Sequence, residues 1–401
     1  MEDCDDEVDD VKKKIKVHSL TGRITSVLML EAFRTVKRNR GAAGVDRVSI
    51  EMFEQQLDQN LLTLMTQLKD RSFRPRPLRR VLIPKGDGKT RPLGIPTVRD
   101  RIAQEVLRRL LSPIFEPMFH QDSYGFRPGR GCHMAVERVL ELKKEGYVHV
   151  LDADIKGFFD NLSHKVIMQG LAAEIADGNI LTLVEQFLKA GVMEDGVFLP
   201  TRQGTPQGGV ISPLLANIAL NQLDWTLHNQ GYHFVRYADD FVVLCQTPEQ
   251  AQEAHDLVQQ QLQDLGLTLS PEKTKVTRFS GGFLFLGFRI SSWAVTMRDK
   301  SVEKFKARIR ELTKRSHNFE ATVVQRVNQT VRGVANYFAT PFSRVWKLFQ
   351  NLDSWLRMRL RAMKFKRKGR PDNQRLRTKH LRKMGFVFLN DFNPRATMKT
   401  A

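Results

Sequence analysis

Two aspartates side by side, Asp239 and Asp240, stand between the apolar runs Phe234-Val235-Arg236-Tyr237 and Phe241-Val242-Val243-Leu244-Cys245. Short runs rich in β-branched and aromatic residues read as strands, which puts the acid pair in a tight turn between them. Carboxylates that close repel each other, and ionising both is costly. A divalent cation removes the cost, and Mg²⁺ prefers one or two carboxylates together with phosphate oxygens. The plainer reading is an ordinary Asp-rich turn, and the string alone does not decide between them.

A second carboxylate site follows another buried-strand pattern, Tyr147-Val148-His149-Val150-Leu151, which runs into Asp152-Ala153-Asp154-Ile155-Lys156-Gly157-Phe158-Phe159. In-line phosphoryl transfer uses metal ions that bridge attacking and leaving oxygens, so carboxylates from different strands must converge. Asp152 and Asp154 share a face if the strand continues, and spacing does not choose between them. Asp154 as the cap of a following helix is the competing reading. A third segment, Gly204-Thr205-Pro206-Gln207-Gly208-Gly209, precedes a helical pattern. Its glycines let backbone approach a substrate, and Gln207 is long enough to reach a base or sugar edge. Read singly, it is only a turn.

Charge narrows the partner class. The net charge is +20 over 401 residues, and the first ten residues hold seven acids and no Lys or Arg, so the remainder carries about +27. Such a field favours a polyanion through counterion release and steering. The 41% apolar and 27% charged content is that of a globular chain. Three scattered cysteines, Cys4, Cys132 and Cys245, form no metal-ligand spacing and suit a reducing compartment. No apolar run suggests a membrane span, and the acidic start is unlike a signal peptide. Residues 1–19 are expected to be a solvated tail.

Periodicity organises the rest. Helical patterns cover residues 21–40, 48–69, 99–111 and 132–145. Between the second and third, the segment Pro75 to Leu93 reads as a β-hairpin around a basic, Gly-rich turn. Gly282 to Gly287 reads as one short strand. After residue 300 three helices are expected, on the stripes Val302, Phe305, Ile309, Leu312; Val327, Val331, Val334, Phe338; and Val345, Phe349, Leu352, Leu356, Leu360, Met363. The fold class is α+β followed by an all-helical basic region, with expected boundaries 20–146, 147–292 and 293–401.

In this order the segments resemble reverse transcriptases encoded by group II introns. The resemblance runs from about Leu20 to Phe392. It is carried by Ile83-Pro84-Lys85-Gly86-Asp87-Gly88-Lys89-Thr90-Arg91-Pro92-Leu93-Gly94-Ile95-Pro96, Ser123-Tyr124-Gly125-Phe126-Arg127-Pro128-Gly129-Arg130, Asp154-Ile155-Lys156-Gly157-Phe158-Phe159-Asp160-Asn161, residues 204–217 and Arg236-Tyr237-Ala238-Asp239-Asp240. Phe285-Leu286-Gly287-Phe288 and residues 331–338 add to it.

The resemblance implies a right-hand polymerase: fingers, a palm over 147–292, and a helical thumb or maturase domain. Asp154 and Asp239 would be metal ligands with the Ile155 carbonyl, and Asp240 a weaker neighbour, around two Mg²⁺ ions that Mn²⁺ could replace. Lys85 and Arg91 would grip the incoming triphosphate, Phe159 exclude a 2′-hydroxyl, and Gln207 lie near the sugar. Lys273 would supply a proton to pyrophosphate, with Lys275 a close rival. Residues 357–383 hold thirteen Lys or Arg against the single acid Asp372. There Arg357, Arg359, Arg361 and Lys364 would meet nucleic acid. Implied partners are an RNA template, a DNA primer, their RNA–DNA duplex, dNTPs and intron RNA, in a bacterial cytoplasm and without a membrane. No Cys/His cluster signals the endonuclease that many members carry. A domesticated enzyme of DNA repair or of CRISPR or phage defence, and a maturase with little polymerase activity, are the alternatives.

Overall fold

The computed structural model describes residues 16–86, 89–205, 208–367, 369 and 371–392. The acidic start of the chain, residues 1–15, lies outside them. The chain divides into two compact units, neither continuous in sequence. The first comprises Met1–Arg130, Asp154–Asp239 and Asp256–Ser270; the second comprises Gly131–Ala153, Asp240–His255 and Pro271–Ala401.

The first unit is built around the helix Val98–Phe115, capped by the Thr97 hydroxyl, which accepts from the Asp100 amide at 3.1 Å. Val98, Ile102, Ala103, Val106, Leu107 and Leu111 are all fully or almost fully buried. The helix packs against Ser26–Asn39 and Ser212–Asn229. Ser212–Asn229 in turn meets His164–Glu174, where Gly170 lies so close to Ile218 that a methyl group would clash. The expected helix over 48–69 is two helices, Ile50–Glu54 and Leu57–Lys69, broken at Gln55 and Gln56. The hairpin forms as expected: Leu78–Gly86 pairs antiparallel with Lys89–Ile95, Ile83 opposite Arg91. Leu78 also pairs in parallel with Val192, and Val192–Glu194 turns back into Val197–Leu199, giving a four-stranded sheet that ends on a short apolar strand.

In the second unit the helix Cys132–Lys144 packs on the strand Asp240–Cys245. The strand His149–Asp154 pairs antiparallel with Lys275–Arg278, Asp152 opposite Lys275. The apolar run 282–287 is not one strand. Phe283–Phe285 turns through Leu286 (φ +48°) and Gly287 (φ +82°) into Phe288–Ile290, which pairs with Val295–Met297. Phe283, Phe285, Phe288, Ile290, Val295 and Met297 line its buried face. From Asp299 onward the structure is helical: Asp299–Leu312, Ala321–Phe338 and Trp346–Phe365, then shorter turns ending at Leu389–Phe392. The three stripes are buried, with Ala335 taking the core position in place of Val334 and Val345 just preceding its helix. Buried Asp353 fastens the last turn, accepting from the amides of Leu389 (2.8 Å) and Asn390 (3.0 Å) and from Asn390 Nδ2 (2.9 Å).

Candidate active site

The turn that carries Asp239 is fixed from beneath by a buried arginine. Arg236 is fully buried in the strand His233–Tyr237. Its Nε and Nη2 donate to the two carboxylate oxygens of Asp224 at 2.7 and 2.5 Å. Its Nη1 donates to Asn217 Oδ1 at 3.0 Å and to the Ala238 carbonyl at 2.9 Å. A bidentate pair of this kind satisfies both buried charges and fixes the plane of the guanidinium. That plane in turn holds Ala238 at φ +61°, an uncommon conformation for a residue with a side chain.

The loop 122–127 braces the same turn. The Arg236 amide donates to the Asp122 carbonyl (2.9 Å), and the Tyr124 amide to the Arg236 carbonyl (2.8 Å). Asn217 Nδ2 donates to the Gly125 carbonyl at 2.9 Å. A Cβ on Gly125 would lie 2.3 Å from the Ala238 nitrogen, so only glycine admits this approach. Gly125, Asn217 and Arg236 all fall inside the family-like segments, but sequence reasoning missed their common purpose. The available signal was an arginine inside an apolar strand, a position that requires a buried counter-charge.

Asp154 ends its strand and does not cap a helix; the next helix, Phe158–Asn161, is preceded by Gly157 at φ +55°. The Asp154 carbonyl accepts from the Ser270 amide (2.7 Å), and the Lys156 amide donates to the Thr268 carbonyl (2.9 Å). Ile155 therefore faces Leu269 as a non-hydrogen-bonded pair, with its own carbonyl turned away from that strand. Phe159 is half-buried, its ring 5.1 Å from Phe158. Its carbonyl accepts from the Thr205 amide (2.7 Å), and Leu162 accepts from Gly204 (2.8 Å). A Cβ on Gly204 would meet the Phe159 and Asp160 carbonyls, and one on Gly208 the Gly94 carbonyl at 2.2 Å. Those two glycines let the chain lie against the backbone behind Phe159 at Gly204 and against the base of the hairpin at Gly208.

Asp154, Ile155, Phe159, Asp239 and the exposed Arg91 thus belong to one compact unit. Asp240, exposed Lys273 and the arginines of residues 357–361 belong to the other. The Lys85 side chain and all of Gln207 lie outside the described residues. Among the described residues no three His, Cys, Asp or Glu side chains converge as a metal cage. An ion that completes its shell with phosphate and water needs only one or two protein carboxylates.

In the helical region the expected nucleic-acid contacts have intramolecular partners. Arg359 donates to the Thr313 hydroxyl (3.1 Å) and carbonyl (2.8 Å), and Arg361 to the Leu376 carbonyl (2.9 Å). Arg357 reaches Ser354 (2.8 Å), and Lys364 lies 5.6 Å from the Phe319 ring centroid.

Residues 83–290 match the family described as reverse transcriptase (RNA-dependent DNA polymerase), and residues 302–385 the group II intron, maturase-specific domain. Protein YkfC of Escherichia coli is 36% identical over 303 residues, covering 65% of this chain and 80% of its own. The group II intron-encoded protein LtrA of Lactococcus lactis is 36% identical over 250 residues, 61% of this chain and 40% of LtrA. This chain thus spans less than half the length of LtrA. Among solved structures, a chain of the partial Cas6-RT-Cas1–Cas2 complex is 25% identical at a TM-score of 0.40, covering 61% of this chain and 41% of that one.

Proposed function

The chain belongs to the reverse transcriptase (RNA-dependent DNA polymerase) family with a group II intron maturase-specific domain, and from that premise we propose that it copies RNA into DNA at Asp154 and Asp239 while holding structured RNA on its helical region. The observation that carries this reading is the turn at Asp239. A fully buried ion pair, an αL alanine and a glycine contact hold the turn of the half-buried Asp239 in place, which is more machinery than an ordinary turn needs. Asp154, with the Ile155 carbonyl and Asp240, would complete the ligand set for two Mg²⁺ ions, which Mn²⁺ could replace. When bound, these ions supply charge stabilisation for in-line displacement.

The protein's own groups do the positioning. The primer 3′-hydroxyl gives up its proton to solvent, and its oxygen bonds to the α-phosphorus of a dNTP as the bond to pyrophosphate breaks. Lys85 and Arg91 hold the triphosphate, Phe159 closes the space that a 2′-hydroxyl would need, and Gln207 lies near the sugar. Lys273, or its neighbour Lys275, delivers a proton to the departing pyrophosphate. The basic helical region holds primer–template duplex and intron RNA through phosphate contacts. No helix among the described residues is long and apolar enough to cross a membrane; the proposed setting is a bacterial cytoplasm.

Primer extension on RNA and DNA templates tests the assignment. Asp154→Ala and Asp239→Ala should each slow nucleotide addition on the order of a thousandfold or more, because several kcal/mol of transition-state stabilisation is lost. RNA affinity should hardly change. Ample extension by both variants at saturating Mg²⁺ would remove the two carboxylates from the reaction.

A further inference from the structure

Phe159 stands on a helix of a single turn, Phe158–Asn161, entered through Gly157 at φ +55°. So short a helix does not hold itself together by its own hydrogen bonds, and contacts from outside fix where the Phe159 ring sits. The buried Phe158 side chain supplies one anchor. The other is the backbone of Gly204 and Thr205, both buried.

Gly204 is gripped at both ends of its backbone by one short stretch of chain. Its amide donates to the Leu162 carbonyl at 2.8 Å, and its carbonyl meets His164 Nε2 at 2.7 Å. A carbonyl only accepts, so the His164 Nε2 carries the proton and donates it. The next amide, that of Thr205, donates to the Phe159 carbonyl at 2.7 Å. A Cβ on Gly204 would lie 2.7 Å from that same carbonyl, so the two segments are in contact with no slack between them. The buried Thr205 hydroxyl makes no hydrogen bond. Among the described residues, His164 is the one side chain that bonds to this backbone pair. It begins the helix His164–Glu174, which packs on Ser212–Asn229. A long packed helix thus holds Gly204 through His164, and Thr205 beside it holds Phe159.

We propose that His164 is a specificity-determining positioning residue: through Gly204 and Thr205 it keeps the Phe159 ring where a 2′-hydroxyl would collide with it. This rests on the polymerase reading above, with Phe159 as the wall beside the sugar. Rejection by collision is sensitive to small displacements of the wall. Loss of the His164 bond therefore lets the ring yield to a ribonucleotide, while a deoxynucleotide, which never presses on it, is added as before.

Single-nucleotide addition of dGTP and GTP to one primer–template, with the full chain, gives the ratio of the two kcat/KM values. Phe159→Ala should collapse that ratio. His164→Leu, which fills similar space without a donor, should lower it about tenfold, the loss expected for one hydrogen bond. The change should come from faster GTP addition, with kcat for dGTP close to wild type. His164→Gln keeps a donor nitrogen at the reach of Nε2 and should restore the wild-type ratio. On a Phe159→Ala background, His164→Leu should lower the ratio no further. A wild-type ratio in His164→Leu beside a collapsed one in Phe159→Ala would overturn the proposal and leave the wall standing. Equal losses for dGTP and GTP with a lowered melting temperature would make His164 purely structural and overturn it too. An unchanged ratio in Phe159→Ala would instead remove Phe159 from the sugar, and the role of His164 with it.

Discussion

The Asp239 turn and the end of the helical region solve the same problem with different chemistry. Each buries an aspartate on a helix and uses it to fasten a returning segment: Asp224 holds Arg236, and Asp353 holds Leu389 and Asn390. At the turn the partner is a planar cation that also reaches Asn217 and the Ala238 carbonyl, so one side chain sets the position of three groups. At the helical end the partners are neutral N–H groups. Burial there pushes the Asp353 pKa up, against the lowering effect of those donors. A rigid bidentate ion pair stands where the proposed reaction would need sub-ångström placement. Neutral donors suffice where a chain end has only to be closed.

The largest effect should come from splitting the ion pair. Arg236→Met leaves Asp224 as a buried charge without its counter-ion and should cost about 3–5 kcal/mol, read from urea unfolding. Arg236→Met with Asp224→Leu should recover much of that stability but not the polymerase rate, since the Ala238 carbonyl still lacks its donor. If the double variant polymerises normally, the pair serves stability alone and the contrast collapses.

Gly125→Ala comes next. Its Cβ meets backbone on the far side, so the turn has to move, at about 1–3 kcal/mol of stability and roughly a hundredfold in single-turnover rate. Unchanged kinetics would show that the turn tolerates displacement.

Asp353→Asn should cost about 1–2 kcal/mol in acid, since the amide cannot accept all three hydrogen bonds. The folded state prefers protonated Asp353, so wild type loses stability as pH rises from the ordinary carboxylate range through the raised folded value. The penalty of the substitution should therefore shrink toward neutral pH. A penalty that grows with pH would mean that the charge of Arg357, which acts to lower the Asp353 pKa, outweighs burial and that Asp353 resembles Asp224 after all.

The smallest effect concerns the charged helical surface. Arg359 and Arg361 hold carbonyls, so neutralising them mixes folding with affinity. Arg332, Lys347 and Lys364 are exposed. Changing these three to Gln should flatten the log–log salt dependence of duplex binding by about 0.7–0.9 for each phosphate that is no longer neutralised, with little change in unfolding. An unaltered slope would place the duplex on another face.

Most of this architecture was legible in the sequence because periodicity is local. The three helices after residue 300 and the strands flanking Asp239 follow from apolar spacing. The hairpin at Leu286 did not, because leucine in a left-handed turn leaves no compositional mark. The hairpin Val192–Leu199 did carry a mark, Asp195-Gly196, both at positive φ. In the site, the carboxylate-bearing segments could be read, but the choice between Asp152 and Asp154 needed the family pattern. The network under Asp239 was hidden for a different reason: Gly125, Asn217, Asp224 and Arg236 are spread over more than a hundred residues, and no local pattern links a buried arginine to its counter-charge.

The first compact unit closes only when 256–270 joins 1–130 and 154–239. Translation at roughly 5–20 residues per second puts a lag of about 7–28 s between the emergence of Arg130 and that of Ser270. For much of that interval the helix Val98–Phe115, able to pack on Ser26–Asn39, waits for its other packing partner, Ser212–Asn229. A nascent chain in this state exposes aggregation-prone surface, so soluble yield should respond to growth temperature and chaperone supply more than the stability of the finished fold would suggest.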